Sequence, residues 1–384
     1  MSMNEELYYR VKRNFNAQFE GKSLMVKSAG RINLIGEHVD YNEGFVFPAA
    51  IDKGIIVAIG KNKEPYSKAI ALDFEESYEF SLETFSKDAN GGWRNYLLGI
   101  VSELQKRGLS IGNFNMVFAG DIPAGSGLSS SAALENSIVF SLNELFKLGL
   151  SRKEMAKISQ KAEHNFVGVN CGIMDQYASM FGKKNNFLFL DCRSLEIAPY
   201  YVDLDPYELI LINTNVQHKL SDSAYNKRRE SCEKTSKKLG KNALRDVSVD
   251  ELYAIENDIS ESDFLKALFV VEEIARTQKA VSLIKEKNIE ALGQLLFESH
   301  EGLKNQYKVS CVELDFLVDL AKEGTAIAGA RMMGGGFGGC TINLVQKNKS
   351  KEFIVKAEKA YKHKFGVACS VYQVALSNGT QLLN

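Results

Sequence analysis

The sequence predicts an α+β fold in two domains. Three observations carry this: strand-like and helical stretches are mixed without regular βαβ alternation, 384 residues exceed a single typical core, and 45% hydrophobic against 25% charged residues is ordinary soluble globular protein. A net charge of −1, from 47 basic and 48 acidic residues, gives no footprint for nucleic acid or an anionic membrane. The N-terminus has acidic residues where a signal peptide needs a basic flank, and no run nears the ~20 apolar residues of a membrane span. A cytoplasmic protein with no nucleic-acid or membrane partner is expected. The six cysteines form no Cys-x-x-Cys pair, and the five histidines (His38, His164, His218, His300, His363) are unpaired at ligand spacing. Neither a zinc knuckle, a disulfide framework nor a His-based metal site is therefore expected.

Residues 5–19 read as an amphipathic helix with Leu7, Val11 and Phe15 on one face. Strand-like pieces follow between Lys22 and Pro48, punctuated by Gly30, Gly36 and Gly44, and they enclose a dense polar cluster of Arg31, Asn33, Glu37, His38, Asp40 and Asn42. Such a cluster suits a polyhydroxylated ligand, because carboxylates and an imidazole accept from and donate to vicinal hydroxyls while an arginine stays charged. A solvated loop with local ion pairs is the alternative. A helix starts within 91–104 and carries Trp93, the only tryptophan.

Phe114–Phe118 alternates as a half-buried strand. From Gly120 the chain turns through Gly125, Ser126, Gly127, Leu128, Ser129, Ser130 and Ser131 into a helix whose Ala132, Ala133, Ile138, Leu142 and Leu145 recur at helical spacing. The serines fall among N–H groups without intrahelical partners, at the positive end of the helix dipole, where an anion fits. An ordinary strand-to-helix turn with serine caps is the alternative. A Walker A loop is excluded by the missing lysine, and the protein-kinase fold by the absence of His-Arg-Asp and Asp-Phe-Gly.

Ser151–Val167 reads as a helix opened by a Ser151/Glu154 capping box. Lys183–Asn186 suggests a boundary, followed by strands at 186–191 and 207–213 and then long helices. One opens near Asp222, and the next carries the packing stripe Phe264, Leu268, Val271 and Ala275. Gly334, Gly336 and Gly339 spell G-x-G-x-x-G, yet the following Cys340–Val345 reads as a strand, which excludes a dinucleotide fold. Cys369–Ala375 reads as a further strand.

Gly30-Arg-Ile-Asn-Leu-Ile-Gly-Glu-His-Val-Asp-Tyr-Asn-Glu-Gly44 closely resembles the signature of the galactokinase family. That family belongs to the GHMP superfamily, with homoserine, mevalonate and phosphomevalonate kinases. Pro123–Ala133 resembles the superfamily's ATP-binding motif and Met332–Cys340 its third motif, in the family's order. Lys161–Val167 and Asn170–Ser179 resemble the family as well. The resemblance implies a two-domain GHMP-kinase-type fold with nucleotide and sugar in the interdomain cleft. The first domain would be 1–186 plus about 365–384, to which the strand at Cys369–Ala375 returns, and the second 187–364. The third motif would pack near the active site and support the phosphate loop.

The implied activity is ATP-dependent phosphorylation of galactose at the anomeric hydroxyl. Asp175 would be the catalytic carboxylate with Arg31 beside it, and Glu37, His38, Val39, Asp40, Gly172 and Tyr225 would meet the sugar. Gly125 to Ser131 would meet the ATP phosphates, Trp93 would lie near the adenine, and Ser131 and Glu163 would hold Mg²⁺. One acid, a hydroxyl and phosphate oxygens suit Mg²⁺, which keeps waters. A monomer with galactose and ATP as its partners is expected. By residue chemistry alone Glu163 and Asp175 also suit surface charges, and Trp93 suits core packing. Two other functions stay open: a kinase for N-acetylgalactosamine or arabinose, and a non-catalytic sugar sensor, against which the intact Ser129–Ala133 and Asp175 count.

Overall fold

The computed structural model describes residues 3–89, 91–123, 125–217 and 221–383; Ala124 and His218 lie outside them. Among the described residues three sheets form. The largest runs in the order β13-β1-β3-β6-β4-β5, from β1 (Leu24–Asn33), β3 (Pro48–Lys61), β4 (Ser67–Ala71), β5 (Glu76–Phe80), β6 (Phe114–Gly120) and β13 (Gln381–Leu383). Period-two alternation on β3 decides what covers each face. Ile56 and Ala58 meet Leu7, Val11 and Phe15 of α1 (Met3–Gln18). Val57 and Ile59 turn to the main core beneath α2 (Trp93–Lys106), α3 (Ser130–Phe146), α4 (Arg152–Ala162) and α5 (Met174–Phe181).

The second sheet has the order β10-β11-β9-β12, from β9 (Tyr207–Gln217), β10 (Ile327–Met332), β11 (Gly338–Gln346) and β12 (Ser370–Gln373). Ile210, Ile212 and Val345 pack on α10 (Val312–Lys322) and α11 (Ser350–Phe365). Leu211, Ile342 and Leu344 face the other way, onto α8 (Glu261–Lys285) and α9 (Ile289–Asn305). That second cluster also holds Ile32, Ile35 and Phe47, so the polar sugar-type motif is rooted in apolar packing shared by both halves. The third sheet pairs β2 (Phe45–Val46) and β8 (Glu196–Tyr201) with β7 (Asn186–Asp191). α6 (Ser221–Lys238) and α7 (Val249–Ala254) complete the elements.

Three local expectations are corrected. The strand at Cys369–Ala375 does not return to the first sheet: it forms β12 and pairs with β9, where Val371 joins the apolar face against α11. The return comes just after it, by the Ile51–Leu376 bridge and then β13, which pairs with β1 through Val26 and Leu382. The helix opened by the Ser151/Glu154 capping box is α-helical only to Ala162, and Glu163–Val167 is a π turn. On α8 Ala275 is exposed and Ile274 is buried in its place, the larger side chain having more apolar surface to remove from water. All six cysteines are free. No helix among the described residues is long and apolar enough to cross a membrane.

Candidate active site

The β1–β3 register shifts between Ala29, opposite Gly54, and Arg31, opposite Ala50, so the extra residues of the bulge lie on β3 and face the single Gly30 of β1. Gly30 fits closely there: a Cβ would lie 3.0 Å from both Ile122 Cδ1 and the Leu128 carbonyl. Arg31 projects from β1 toward the first turn of α5, where its Nε and Nη2 donate to Asp175 Oδ1 and Oδ2, each at 2.8 Å. Its Nη1 donates to the Gly127 carbonyl at 2.5 Å and its backbone N–H to the Leu128 carbonyl at 3.1 Å. Burial works against the guanidinium charge, but the Asp175 carboxylate more than restores it. Ser129 Oγ donates to Asp175 Oδ2. Three protein hydrogen bonds thus reach a carboxylate with about four acceptor positions, leaving one on Oδ1.

The phosphate loop takes left-handed φ at every second residue: Gly125 at 68°, Gly127 at 71° and Ser129 at 57°. Such alternation favours a backbone nest for anions, continued by the N-terminus of α3. Ser129 occupies the N-cap position without capping, its hydroxyl being spent on Asp175, so this is not an ordinary serine-capped turn. Ser126 is buried and donates to the Pro123 carbonyl at 2.7 Å, and Leu128 is core; these two residues shape the loop instead of offering side chains to a ligand. Ser130 is exposed. The third motif lies against the loop: a Cβ on Gly334 would sit 3.4 Å from the Gly127 carbonyl, and one on Gly339 3.6 Å from that of Ser126.

A cavity of about 130 Å³ opens beside Asp175, walled by Glu37, His38, Asp40, Gly172, Tyr225 and the backbone at Gly334 and Gly335. Asp40 lies tight against Gly172, where a Cβ would fall 1.9 Å from its Oδ2. Burial, then the Asp175 carboxylate, raises Asp40 to about 6. Glu37 Oε1 accepts from Arg331 Nη1 and Nη2 at 3.1 Å and from the Gly334 N–H at 2.8 Å. Arg331 is fully buried and also donates to the carbonyls of Asn33, Leu34 and Met332. Tyr225 on α6 lies over Gly335 with its ring 5.2 Å from that of His38.

Two of the expected sugar-contact residues, His38 and Val39, are engaged by the protein itself. His38, at a left-handed φ of 61°, has both ring nitrogens engaged: Nε2 donates to the Gly335 carbonyl at 3.2 Å, and Nδ1 accepts from the Tyr41 hydroxyl at 2.7 Å. The carbonyl, which only accepts, sets that tautomer, and Tyr307 donates to Tyr41 behind it. Burial drives the imidazole down to about 3, so it is neutral. Val39 is core, its carbonyl accepting from the N–H groups of Asn42 and Gly44. Trp93 is also buried, edge-on to Phe118 and Tyr78, its indole N–H on Glu76 at 2.8 Å.

Glu163 begins the π turn. Its Oε2 accepts from Cys171 Sγ at 3.4 Å and Gln176 Nε2 at 2.9 Å, and Ser131 hydrogen-bonds the same carboxyl. Burial, then Asp175, raises it to about 7. Among the described residues no three His, Cys, Asp or Glu side chains are grouped to hold a metal. One carboxyl beside one hydroxyl nonetheless fits Mg²⁺, whose other ligands are phosphates and water.

A family model described as the galactokinase galactose-binding signature matches residues 13–61, and models of the GHMP kinase N-terminal and C-terminal domains match 95–183 and 280–363. Galactokinase of Thermosipho africanus is 42% identical over 358 residues, spanning 93% of this chain and 99% of that protein. The chain belongs to the galactokinase family. Within it, galactokinase of Clostridium acetobutylicum is 40% identical over 365 residues, 93% of this chain and 94% of its own. The crystal structure of Lactococcus lactis galactokinase complexed with galactose matches with a TM-score of 0.94 at 34% identity, over 100% of both chains. Mevalonate kinase of Methanococcus jannaschii shares the fold, with a TM-score of 0.68 at 18% identity over 94% of this chain and 100% of that one. The α+β, two-domain GHMP-kinase-type fold is thereby established.

The structure brings Arg31, Glu37, His38, Asp40, Glu163, Gly172, Asp175 and Tyr225 to one cavity. Residue patterns passed over Arg331, Tyr41, Tyr307, Glu135 and Gln176. Arg331 directly precedes the third motif and Gln176 follows Asp175, so adjacency was a signal; Tyr307 carried none.

Proposed function

We propose that the protein transfers the γ-phosphoryl group of ATP to the anomeric hydroxyl of galactose. The observation that carries this reading is the shared position of Asp175: one carboxylate meets Arg31, the phosphate-loop Ser129 and the cavity. The open acceptor position on Asp175 Oδ1 takes the hydroxyl proton as that oxygen bonds to the γ-phosphorus and the bond to the β-phosphate oxygen breaks, releasing ADP. Arg31 fixes the orientation of the carboxylate through its paired bonds and offsets the developing charge. The phosphate-loop N–H groups and the α3 N-terminus hold the phosphates. Mg²⁺, when bound at Ser131 and Glu163, neutralises charge on the β- and γ-phosphates.

Asp40, backed by Gly172 and Tyr225, accepts from the 3- and 4-hydroxyls, while Glu37 Oε2, the oxygen not taken by Arg331, faces the 6-hydroxyl. His38 shapes the wall. We read residues 1–186 with the tail after β12 as the first domain and the intervening chain as the second. A single chain supplies every group named, so a monomer suffices. A panel of free sugars with ATP and Mg²⁺, reading ADP release and product position together, tests the proposal. Galactose 1-phosphate is expected; faster turnover of another sugar, or galactose binding without ADP release, overturns it.

A further inference from the structure

Glu135 lies one turn beyond Ser131 on α3, on the same helix face. It is fully buried; its Oε1 has no partner and its Oε2 is 3.4 Å from Gln176 Nε2. The same amide nitrogen donates to Glu163 Oε2 at 2.9 Å, so one NH₂ group bridges two carboxyls. Gln176 Oε1 is buried without a partner as well. An interior selected only for stability gains nothing from two orphaned oxygens, since an apolar side chain of the same volume removes that cost. The Gln176 backbone carbonyl accepts from Asn136 Nδ2 at 2.8 Å, and Asn136 Oδ1 accepts from Ser159 Oγ at 2.9 Å, which ties α3, α4 and α5 together beside Asp175.

We propose that Gln176 is a positioning residue that holds Glu163 in register with Asp175 and Ser131, and that Glu135 anchors its amide. This rests on the reading of Glu163 as the Mg²⁺ ligand. With Oε2 pinned by the amide, the carboxyl cannot rotate and its other oxygen is presented to the cation. Partners behind a metal ligand set affinity in this way.

The test uses the full chain with galactose, a non-hydrolysable ATP analogue and Mn²⁺ as the probe, free Mn²⁺ being read by electron paramagnetic resonance. Gln176→Met is expected to weaken Mn²⁺ binding by at least ~10-fold while calorimetric galactose affinity stays within ~2-fold. Glu135→Met should weaken Mn²⁺ in the same direction, and Glu135→Gln, which still accepts the amide bond, should restore it. Unchanged Mn²⁺ affinity in Gln176→Met, or equal losses of Mn²⁺ and galactose, overturns the inference. If Gln176→Met does not fold, Glu135→Met and its glutamine rescue carry the same expectation, and failure of both methionine variants to fold assigns the pair to stability alone. Glu163→Ala runs in parallel: if it binds Mn²⁺ as wild type does, the metal reading itself fails, whereas loss there with Gln176→Met unaffected sinks only the positioning role.

Discussion

Arg31 grips Asp175 with two parallel bonds of 2.8 Å, a fork matched to a fork, while a third nitrogen of the same guanidinium holds the phosphate loop at Gly127. Only arginine spans these acceptors with a planar, permanently charged group. Asp175→Asn should lower kcat by at least ~10²-fold, the scale of general-base catalysis, with galactose affinity little changed. Arg31→Lys keeps the charge but loses the fork, so it too should act on kcat. Steady-state kinetics beside calorimetry separate the two, and a near-wild-type kcat in Asp175→Asn removes it as the base.

The closeness of Asp40 to Gly172 makes the glycine a test of the sugar clamp. Gly172→Ala places a methyl where Oδ2 now sits, displacing the carboxylate without altering its charge. Galactose affinity should fall by at least ~10-fold, the cost of a misplaced buried acceptor. Asp40→Ala should lose the preference for galactose over glucose even more than it loses galactose. Equal weakening of both sugars would make Asp40 scaffold.

Sugar recognition and stability pull Asp40 in opposite directions. Its carboxyl is raised to about 6 by burial and the Asp175 carboxylate, so between the ordinary carboxylate range and about pH 6 the folded protein holds a proton that the unfolded chain has released. Stability from this group is therefore lost as pH rises through that window. Asp40→Asn should stabilise above pH 6 by at most about 3 kcal/mol and by nothing near pH 3. Sugar recognition needs the ionised form, so wild-type galactose affinity should drop as pH falls through about 6. Urea titrations at both pH values and calorimetry check both signs; a flat stability difference excludes the account.

Arg331 is the buried root of the sugar motif, and its removal leaves Glu37 without its cation in an apolar surround. Arg331→Met should cost about 3–5 kcal/mol, as breaking a buried pair does. The double variant Arg331→Met with Glu37→Gln should recover part of that loss. Urea unfolding of the single and double variants measures it, and no recovery would mean that the bonds to the Asn33, Leu34 and Met332 carbonyls dominate.

Features set by neighbours along the chain were legible in the residues. The capping box at Ser151 and Glu154, the strand-to-helix turn through Gly125 and Gly127, and the apolar stripe of α1 each depend on hydrogen bonds, backbone freedom or periodicity within a few residues, and the structure has all three. The motif segments also held the chemistry: Arg31 and Asp40 stood out in a dense polar cluster, whereas Glu163 and Asp175 were nameable only through the resemblance of their segments to the galactokinase family. Tertiary structure decided which of these groups meet. His38 bonds the Gly335 carbonyl, which lies 297 positions away, and Glu37 found Arg331 at a separation of 294. β12 joined β9 instead of the first sheet because the apolar face over α11 needed covering there. A sequence states what each side chain can donate, accept or bury, but partner choice is settled by which faces lose water together, and that is a property of the packed molecule.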